Sequence, residues 1–486
     1  MNFNFKIAAL ILVSSVYAMG QTKVSGSSGQ AQVLSLRECV DYALKNNLNM
    51  QQTQVAVESG MVTLDQAKMA KYPTANGQFN LNGNAGRNVD PFTNGIVTQT
   101  IGTNNVGVGL NMPVYDGFRN KNTVERAKLT LEALQMDVNT MRNNVSLQVA
   151  LAYLNALSTE DLIEVAQKQL DVTNFQFERM EKLVRSGTVP ETNLFDLEAQ
   201  RANDELSLLN AKNNHESALL TLKQAMNAPT EMVIKAERII VPDPNLIQYS
   251  ETANQVYENA LGYLPEIKAG EIRMKVADRN IAIAKSLGLP TLSASTSWGT
   301  AYSSVAKTLT PSGSTSSPIP VSAEFQGQTI PFVINFPQTT YTSENINYFK
   351  QLGNNQNLNV GLSLRIPIFN GYNQKYQTQA ATIQKKQTDI QNQSTKLQIK
   401  QNIDQAYINM LNAQKRFSAT QTQVNALEKS FKAIETRYSA GSNNFMDYNL
   451  AKTNLDRAKS NLVVAKYDYI FRIKVLDFYQ NRPLEL

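Results

Sequence analysis

The chain has almost none of the side chains that bind soft metals or form disulfides, since its 486 residues include one cysteine and one histidine. Cys39 cannot form an internal disulfide, and its place in the helical pattern Leu36, Cys39, Val40, Ala43 predicts a packed core side chain. His215 lies in a polar helical stretch and is predicted to be a surface residue. A Cys/His zinc site and a Ser-His-Asp triad are therefore disfavoured. We expect no cofactor, no bound metal and no enzymatic activity.

Long hydrophobic runs are also absent after the first residues. Lys6, the apolar segment 7–16 and Ala18-Met19-Gly20 before Gln21 form the pattern of a secretory signal peptide, so residues 1–20 are predicted to be cleaved. No later segment approaches the roughly 20 apolar residues of a membrane helix, so a membrane crossing would have to use strands. Lys and Arg number 46 against 40 Asp and Glu and are spread along the chain, which gives no support to nucleic-acid binding.

Glycine and proline are missing from two very long stretches, Phe118 to Ser186 and Asn373 to Ala440, whereas helices average about 11 residues. In the second stretch, apolar side chains recur at the alternating spacing of a coiled-coil seam, at Ile399, Ile403, Ala406, Met410, Ala413, Phe417, Val424, Phe431 and Tyr438. The first stretch does the same from Val124 to Val145. Each is followed by Gly187 or Gly441 and another unbroken segment, which predicts two long antiparallel helical hairpins.

The sequence also repeats itself. One constant offset matches Val106-Gly107-Val108 to Val360-Gly361-Leu362, Ala152-Tyr153 to Ala406-Tyr407, and Gly187 to Gly441. Pro73-Thr74 and Pro290-Thr291 match at a shorter offset. The residues that account for the difference between the two offsets fall in segment 303–357, which is rich in Ser, Thr, Pro and Gln and is interpreted as an external loop. We therefore predict two tandem repeats, residues 22–228 and 251–486, joined by a strap at 229–250 that contains Ile239-Ile240-Val241.

Strict alternation predicts strands just before each long helix. Apolar residues at Val106, Val108, Leu110, Met112 and Val114, and at Val360, Leu362, Leu364, Ile366 and Ile368, alternate with small or polar ones. About nine to eleven such residues is the length of a transmembrane strand. We predict strands at about 75–86, 103–115, 291–302 and 358–369, and helices at about 36–71, 118–186, 191–228, 266–287, 373–440 and 442–480. The predicted fold class is an α+β membrane protein in which each repeat is a coiled-coil hairpin plus two transmembrane strands.

Four strands are too few to close a barrel, and an open sheet edge is not tolerated in hydrocarbon. The chain is therefore expected to form oligomers. Three copies would supply twelve strands, enough to enclose a watery lumen, whereas the eight strands of two copies would be largely filled by side chains.

Several short motifs, in their order, resemble the TolC-like outer membrane factor family over essentially the whole mature chain. They are Ala43-Leu44-Lys45-Asn46-Asn47, Pro73-Thr74, Pro113-Val114-Tyr115-Asp116-Gly117, its copy Pro367-Ile368-Phe369-Asn370-Gly371, and Arg437-Tyr438-Ser439-Ala440-Gly441 followed by Asp447. The resemblance implies a homotrimer with a twelve-stranded β-barrel in the outer membrane, continuous with a periplasmic α-barrel that holds most of the chain. It also implies contact with outer-membrane lipid, a periplasmic adaptor (membrane fusion) protein and an inner-membrane pump as partners, and passive export of small molecules or polypeptide in a tripartite efflux or type I secretion system.

The resemblance also implies a periplasmic gate at the hairpin tips. Asp447 would contribute one ring of three carboxylates, and Tyr438 matches the tip tyrosine. The sequence departs from the family pattern at Asn193, Asn443 and Leu450, where charged residues are often found; Thr192 adjoins this group. Gly187 and Gly441 would mark turns that contact the adaptor, and the strand-helix elbows would be Pro113, Gly117, Pro367 and Gly371.

Two alternatives remain open from the sequence. Asp447 can instead act as a helix N-terminal carboxylate stabilised by the helix dipole, an effect of about 0.3 to 1 kcal/mol. The chain as a whole can be a secreted or surface coiled-coil structural protein without a pore, although that reading leaves the alternating strands and Pro/Gly elbows unexplained. No nucleophile with a base, metal cluster or phosphate loop supports an enzyme.

Overall fold

The computed structural model describes residues 32–89, 95–98, 100–238 and 249–482. The predicted signal peptide, residues 1–20, and Ile239-Ile240-Val241 lie outside the described residues. The helices are α1 (Leu36–Asn46), α2 (Leu48–Met69), α3 (Arg119–Arg185), α4 (Thr192–Met226), α5 (Ala253–Tyr263), α6 (Pro265–Ser286), α7 (Tyr348–Asn354), α8 (Asn373–Ser439) and α9 (Phe445–Tyr479). The strands are β1 (Gln32–Leu34), β2 (Thr74–Asn84), β3 (Arg87–Val89), β4 (Ile96–Thr98), β5 (Ile101–Tyr115), β6 (Ile234–Ala236), β7 (Thr291–Ser303), β8 (Lys307–Phe325), β9 (Gln328–Asn345) and β10 (Asn357–Arg365).

Two helices of 67 residues, α3 and α8, form the long axis of the protomer. The predicted seam of α8 is confirmed, because Ile399, Ile403, Ala406, Met410, Ala413, Phe417 and Val424 are buried. The seam from Ile399 to Ala413 forms the α8 side of a core whose other side includes Tyr469, Ile473 and Leu476 of α9, and Phe417 stacks on Tyr469. Burial of the seam on one face leaves the Gln, Asn and Thr side chains of the other faces exposed, as a coiled-coil helix requires.

The other helices pack along α3 and α8 in a fixed lateral order. Helices α2 and α4 lie against one side of α3, while α6 and α9 lie between α3 and α8. Asn227, at the C-terminus of α4, contacts the start of α2. Its side-chain amide is oriented so that both polar atoms are hydrogen-bonded, and its oxygen then accepts from the Leu48 N–H at 3.3 Å. Helices α2 and α4 therefore follow one another end to end along α3. The outermost helices of the protomer are α2 and α4 on one side and α8 on the other.

A four-stranded antiparallel sheet continues from the ends of α3 and α8, with strand order β10-β7-β5-β2. Its central pair joins the two halves of the chain, with Val108 opposite Trp298 and Gly107 opposite Gly299. Close approach explains the glycine at 107, since a Cβ there would lie 3.1 Å from the Trp298 carbonyl oxygen. Strands β2 and β10 each have one neighbour in this sheet, so within the part of the chain that the structure describes both edges of the sheet are open.

Several boundaries differ from those predicted. The helix expected at 36–71 is broken at Asn47, whose extended backbone and side-chain oxygen, which accepts from the N–H groups of Asn49 and Met50, start α2 afresh. The strand expected at 358–369 ends at Arg365, two residues before Pro367, which cannot donate a ladder hydrogen bond. Helix α5 was not predicted. His215 is half-buried, with Nδ1 3.0 Å from the Thr159 hydroxyl, rather than simply exposed.

Segment 303–357, expected to be a loop, is also different. It contains the paired strands β8 and β9 followed by α7. Helix α7 is fixed to the end of β7 by Gln351, which accepts from the Ser303 N–H at 2.9 Å and donates to the Ser303 carbonyl at 3.0 Å. Within the described residues, no helix has the length and apolar character needed to cross a membrane.

Candidate functional site: hairpin tips, buried clip and free edges

Both long hairpins turn with the same backbone geometry. Gly187 and Gly441 each have φ of +73°, in the left-handed region that glycine adopts without strain. At the second turn, the Gly441 N–H donates to Tyr438 O at 3.0 Å and the Ser442 N–H donates to Arg437 O at 2.9 Å. The Gly187 N–H and Thr188 N–H make the matching bonds to Val184 and Leu183. These are Schellman motifs, which confirm both glycines as helix stop signals.

An aromatic cluster lies directly behind the tip of the second hairpin. The rings of Tyr438 and Tyr448 stack with centroids 4.8 Å apart and planes at 23°, and Phe431 and Phe445 pack beside Tyr448. Met180 and Leu197 of the first hairpin belong to the same core. Burial raises the pKa of Tyr438 above its usual value, so its hydroxyl is neutral at physiological pH. The two tips are thus held together by an apolar contact.

Tyr438 lies in the last turn of α8, and the other predicted gate residues fall at the starts of the helices that return from the tips. Asp447 is an exposed residue in the first turn of α9, and its N–H donates to the Asn444 side-chain oxygen at 2.7 Å. Asn443 precedes that cap and is half-buried. Thr192 is the first residue of α4 and is exposed, while Asn193 is half-buried and its N–H donates to the Pro190 carbonyl at 3.3 Å. The structure therefore places Tyr438, Asn443 and Asp447 at one hairpin end and Thr192 and Asn193 at the other.

A buried ionic cluster further along the same helices was not found from the sequence. Lys452 of α9 is 4% exposed and Asp204 of α4 is 7% exposed, and the lysine Nζ lies 3.2 Å from Asp204 Oδ2 and 2.7 Å from Asp456 Oδ2. Gln200 and the hydroxyl of Thr173 donate to the Asp204 carboxylate. Burial raises the pKa of the Asp456 carboxyl, and Lys452 opposes that effect. We call Lys452, Asp204 and Asp456 the ionic clip, because it joins a helix of the first hairpin to a helix of the second.

The strand-helix elbows are also alike. Gly117 and Phe118 have φ of 66° and 65°, and Gly371 and Tyr372 have φ of 62° and 59°. Each aromatic residue packs edge-on against the ring three residues before it, at 5.4 Å for Tyr115–Phe118 and 5.5 Å for Phe369–Tyr372. At Gly117 a Cβ would lie 2.7 Å from the Leu289 side chain, so both the positive φ and the lack of space for a side chain require glycine here. Pro113 lies within β5, and Pro367 lies between β10 and the second elbow.

The outermost helices each carry an exposed row of apolar side chains at seven-residue spacing. On α2 the row is Leu48, Val55, Val62 and Met69, and on α8 it is Tyr376, Ile383, Ile390 and Leu397. Each of these side chains is between 56% and 69% exposed. The faces of α2 and α8 that contact α3 and α6 lie on the opposite sides, so each helix has a second seam with no partner among the described residues.

The two rows lie at the same height along the protomer. Gly60 of α2 faces Leu131 and Leu134 of α3. Helix α3 is tied to α6 by the Asp137–Arg273 ion pair, and α6 is tied to α8 by the Asp278–Lys385 ion pair. These contacts place Gly60 level with Lys385. Val62 and Ile383, each two residues nearer the sheet, are therefore also level with each other.

Comparisons with known proteins agree with this architecture. The fold resembles the crystal structure of CusC with a TM-score of 0.71 and 14% identity, covering 94% of this chain and 96% of that one. It resembles the Campylobacter jejuni CmeC outer membrane channel with a TM-score of 0.69 and 16% identity, covering 92% of this chain and 87% of that one. At such identities the likeness establishes the fold, which this chain shares with these channel proteins over most of its length.

Sequence comparison gives the family. A profile of the outer membrane efflux protein family matches residues 39–228 and 335–472. The outer membrane efflux protein BepC of Brucella suis biovar 1 (strain 1330) is 25% identical over 288 residues, which cover 59% of this chain. The alignment spans 58% of the length of BepC. The chain belongs to the outer membrane efflux protein family, and its location is the outer membrane.

Proposed function

We propose that this chain is one subunit of a homotrimeric duct that passively exports small molecules or polypeptide from the periplasm to the outside. The strands of three copies form a closed twelve-stranded barrel, continuous with a periplasmic tube of helices. A periplasmic adaptor protein and an inner-membrane pump deliver the cargo in a tripartite efflux or type I secretion system. The observation that carries the proposal is the pair of unpartnered, complementary edges of the protomer.

The edges match in both the sheet and the helices. Among the residues that the structure describes, nothing pairs with the outer side of β2 and α2 or with the outer side of β10 and α8. Pairing β10 with β2 of the next copy brings α8 beside α2 of that copy, with their rows of apolar side chains at one height. Such a junction is head-to-tail, so repeating it closes a ring when the rotation fits. Full burial of one Leu, Ile or Val contributes about 1.5–3 kcal/mol, so the eight side chains of a junction supply substantial stabilisation.

The two faces of the sheet support a water-filled lumen. The register puts Val108, Trp298 and Leu358 on one face, while Gly107, Gly299 and Asn357 lie on the other. A transmembrane strand places its apolar face toward lipid and its polar face toward the lumen. Twelve strands leave space inside for water, whereas eight strands leave space only for side chains.

The hairpin tips form the periplasmic entrance in this proposal. In a trimer, Asp447 supplies a ring of three carboxylates around the axis, with Tyr438 and Asn443 beside it and Thr192 and Asn193 on the neighbouring hairpin. Gly187 and Gly441 mark the turns that contact the adaptor. The elbows at Pro113, Gly117, Pro367 and Gly371 set the angle between the barrel and the helical tube.

Disulfide cross-linking tests the junction directly. Cysteines replace Val62 and Ile383 in a Cys39→Ala background, and the protein is oxidised in outer membranes. We expect covalent dimers and trimers on denaturing gels, because Val62 of one copy faces Ile383 of the next. The control pairs Val62→Cys with Leu397→Cys, which lies about 21 Å further along the same row at 1.5 Å per residue and is expected to stay monomeric.

The result also separates the duct from a structural coiled coil. Monomers alone in the Val62→Cys/Ile383→Cys variant, or extraction of the protein without detergent, would contradict the proposal. For the unmodified protein, trimers that appear on gels of unboiled samples and dissociate when the sample is heated would support it.

A further inference from the structure

Strands β8 and β9 form a long two-stranded ribbon, residues 307–345, at the end of the sheet opposite the long helices. Its base is fixed by the Ser304 N–H, which donates to Gly102 O at 2.9 Å, and by the Ile346 N–H, which donates to Ala306 O at 3.2 Å. The 19 residues of β8 extend over about 60 Å at 3.3 Å per residue. Nearly every side chain of the ribbon is exposed in the single chain.

One face of the ribbon is apolar. The register places Ile319 opposite Ile334, Val321 opposite Phe332, and Ser317 opposite Phe336. Ile319, Ile330, Phe332, Ile334 and Phe336 share this face, and each is between 37% and 50% exposed. The opposite face carries four prolines, Asn335 and several serines, with Val333 as its one large apolar side chain between Ser316 and Pro337. A two-stranded ribbon is marginally stable by itself in water, so an apolar face of this size calls for a partner surface.

The edges of the ribbon cannot supply that partner contact. Pro318, Pro320, Pro331 and Pro337 all belong to one alternating set of residue pairs, opposite Asn335, Val333, Ser322 and Ser316. Because proline has no N–H, these pairs are the ones without ladder hydrogen bonds, and their nitrogens point outward. Proline at outward positions blocks the addition of another strand. Between residues 316 and 337, association therefore occurs through the apolar face.

The small number of charges on the ribbon limits which partner can cover its apolar face. Between Lys307 and Glu344 the only charged residue is Glu324. The one cation of the ribbon, Lys307, lies at its base beside Glu344, so the apolar outer part offers no cation to anionic headgroups and no charge pattern to a charged protein. In the proposed trimer, three ribbons rise from one end of the ring, and each is long enough to reach the central axis. The partner that fits is the same apolar face on another copy.

The geometry points to a self-association of the ribbons: in the assembled trimer, the faces that carry Ile319, Ile334 and Phe332 pack against one another over the outer mouth of the duct. This inference rests on the proposed trimer. It assigns to segment 303–357 a structural role outside the membrane, where it stabilises or narrows the exit.

Neighbouring residues on opposite faces provide a matched test. Ile334→Cys and Asn335→Cys are made separately in the Cys39→Ala background, and intact cells are treated with a short bis-maleimide or a membrane-impermeant maleimide. We expect Ile334→Cys to give cross-linked dimers and to be labelled at least tenfold more slowly than Asn335→Cys. Asn335→Cys is expected to label fast and to remain uncross-linked.

Two outcomes would overturn the inference. In one, Ile334→Cys labels as fast as Asn335→Cys and gives no dimers, which means that the ribbons stand apart. In the other, Ile334→Cys is protected but gives no dimers, which means that the ribbon lies against lipid or another protein. The Val62→Cys/Ile383→Cys cross-link, measured in parallel, reports whether the trimer itself has formed, so failure of the ribbon contact is distinguished from failure of the duct.

Discussion

Lys452 and Asp204, which lie 248 residues apart in the sequence, place their charged atoms 3.2 Å apart in the interior of the helical region. The lysine belongs to α9 of the second hairpin and the aspartate to α4 of the first. Both helices pack on α3, so the pair connects the hairpins laterally. The tip positions Asn193 and Asn443 are neutral, whereas Lys452 and Asp204 form a charged connection between the hairpins.

Lys452→Met tests the ionic clip. Removing one partner of a buried pair leaves an uncompensated charge, so we expect a loss of about 3–5 kcal/mol in the free energy of unfolding, measured by chemical denaturation followed by helical circular dichroism. The control is Lys459→Met, which breaks an exposed pair with Glu428 at 3.0 Å and is expected to cost about 0–1 kcal/mol. Equal effects of the two substitutions would show that the clip contributes nothing special. Adding Asp204→Asn and Asp456→Asn to Lys452→Met should recover part of the loss, because the buried network is then neutral.

Asp447→Asn tests the proposed entrance. Loss of a ring of three carboxylates should raise the concentration of a multivalent cation needed to block single channels in planar bilayers. We expect a shift of about tenfold, which corresponds to about 1.4 kcal/mol. Asn193→Asp, which adds a carboxylate at the matching place in the first hairpin, should shift block in the opposite direction. Unchanged block in both variants would leave Asp447 with the role of a helix N-terminal carboxylate. The proportion of trimer on unboiled gels should stay the same in both variants.

Gly441→Ala tests the tip turn. The left-handed conformation costs a residue with a side chain about 1–2 kcal/mol, so this substitution should destabilise the second hairpin by that amount. Gly262→Ala is the matched control. Gly262 lies within α5, and no atom lies within 4 Å of its added Cβ. Alanine there should stabilise the protein by about 0.4–1 kcal/mol. Thermal unfolding midpoints that move in the same direction for both variants would contradict the assigned backbone roles.

Cys39 should be unreactive in the folded protein. Its side chain is fully buried, which confirms the core position predicted from the helical pattern, and burial raises the pKa of the thiol to about 12. A maleimide at pH 8 should modify the unfolded chain and leave the native protein unmodified, as mass spectrometry would show. Rapid modification of native protein would contradict the packing of α1.

The same thiol predicts a pH dependence of stability. Its folded pKa lies above the unfolded value, so its contribution is fully present below about pH 9 and is lost as the pH rises toward about 12. The unmodified protein should therefore lose stability faster than Cys39→Ala across that window. Parallel stability curves for the two proteins between pH 9 and 11 would exclude this linkage. Burial and the neighbouring Cys39 both raise the pKa of Tyr153, so titration of that tyrosine adds to the difference between the two proteins.

The sequence predicted those features that local periodicity controls. The apolar spacing from Ile399 to Val424 fixes one face of α8, and the glycine after each long helix fixes its end. The break at Asn47 was missed because a side chain that hydrogen-bonds two N–H groups competes with helix continuation without disturbing the apolar pattern. The ribbon was missed because prolines usually indicate a loop. Only the strand register shows that their nitrogens point outward, where no ladder hydrogen bond is lost.

The ionic clip was beyond sequence reasoning for a different reason. Nothing local distinguishes Lys452 from the half-buried lysines of the same helix, and its partner Asp204 lies in the other half of the chain. The gate residues are an intermediate case. Their order in the sequence places them at the tips, while their arrangement around an axis depends on the assembly rather than on the single chain.

The central pairing of β5 with β7 has a consequence for how the duct assembles. The proposed ring consists of six half-chains with two strands each, and so has six junctions between half-chains. Three of these junctions are β5–β7 pairs, which are already formed within a chain. The two strands of such a pair belong to one chain, so they meet at an effective concentration that does not depend on the concentration of the protein. Only three β10–β2 encounters depend on the amount of protein in the membrane. A ring built from separate half-chains would need six such encounters, and joining the halves therefore makes assembly far less sensitive to low expression.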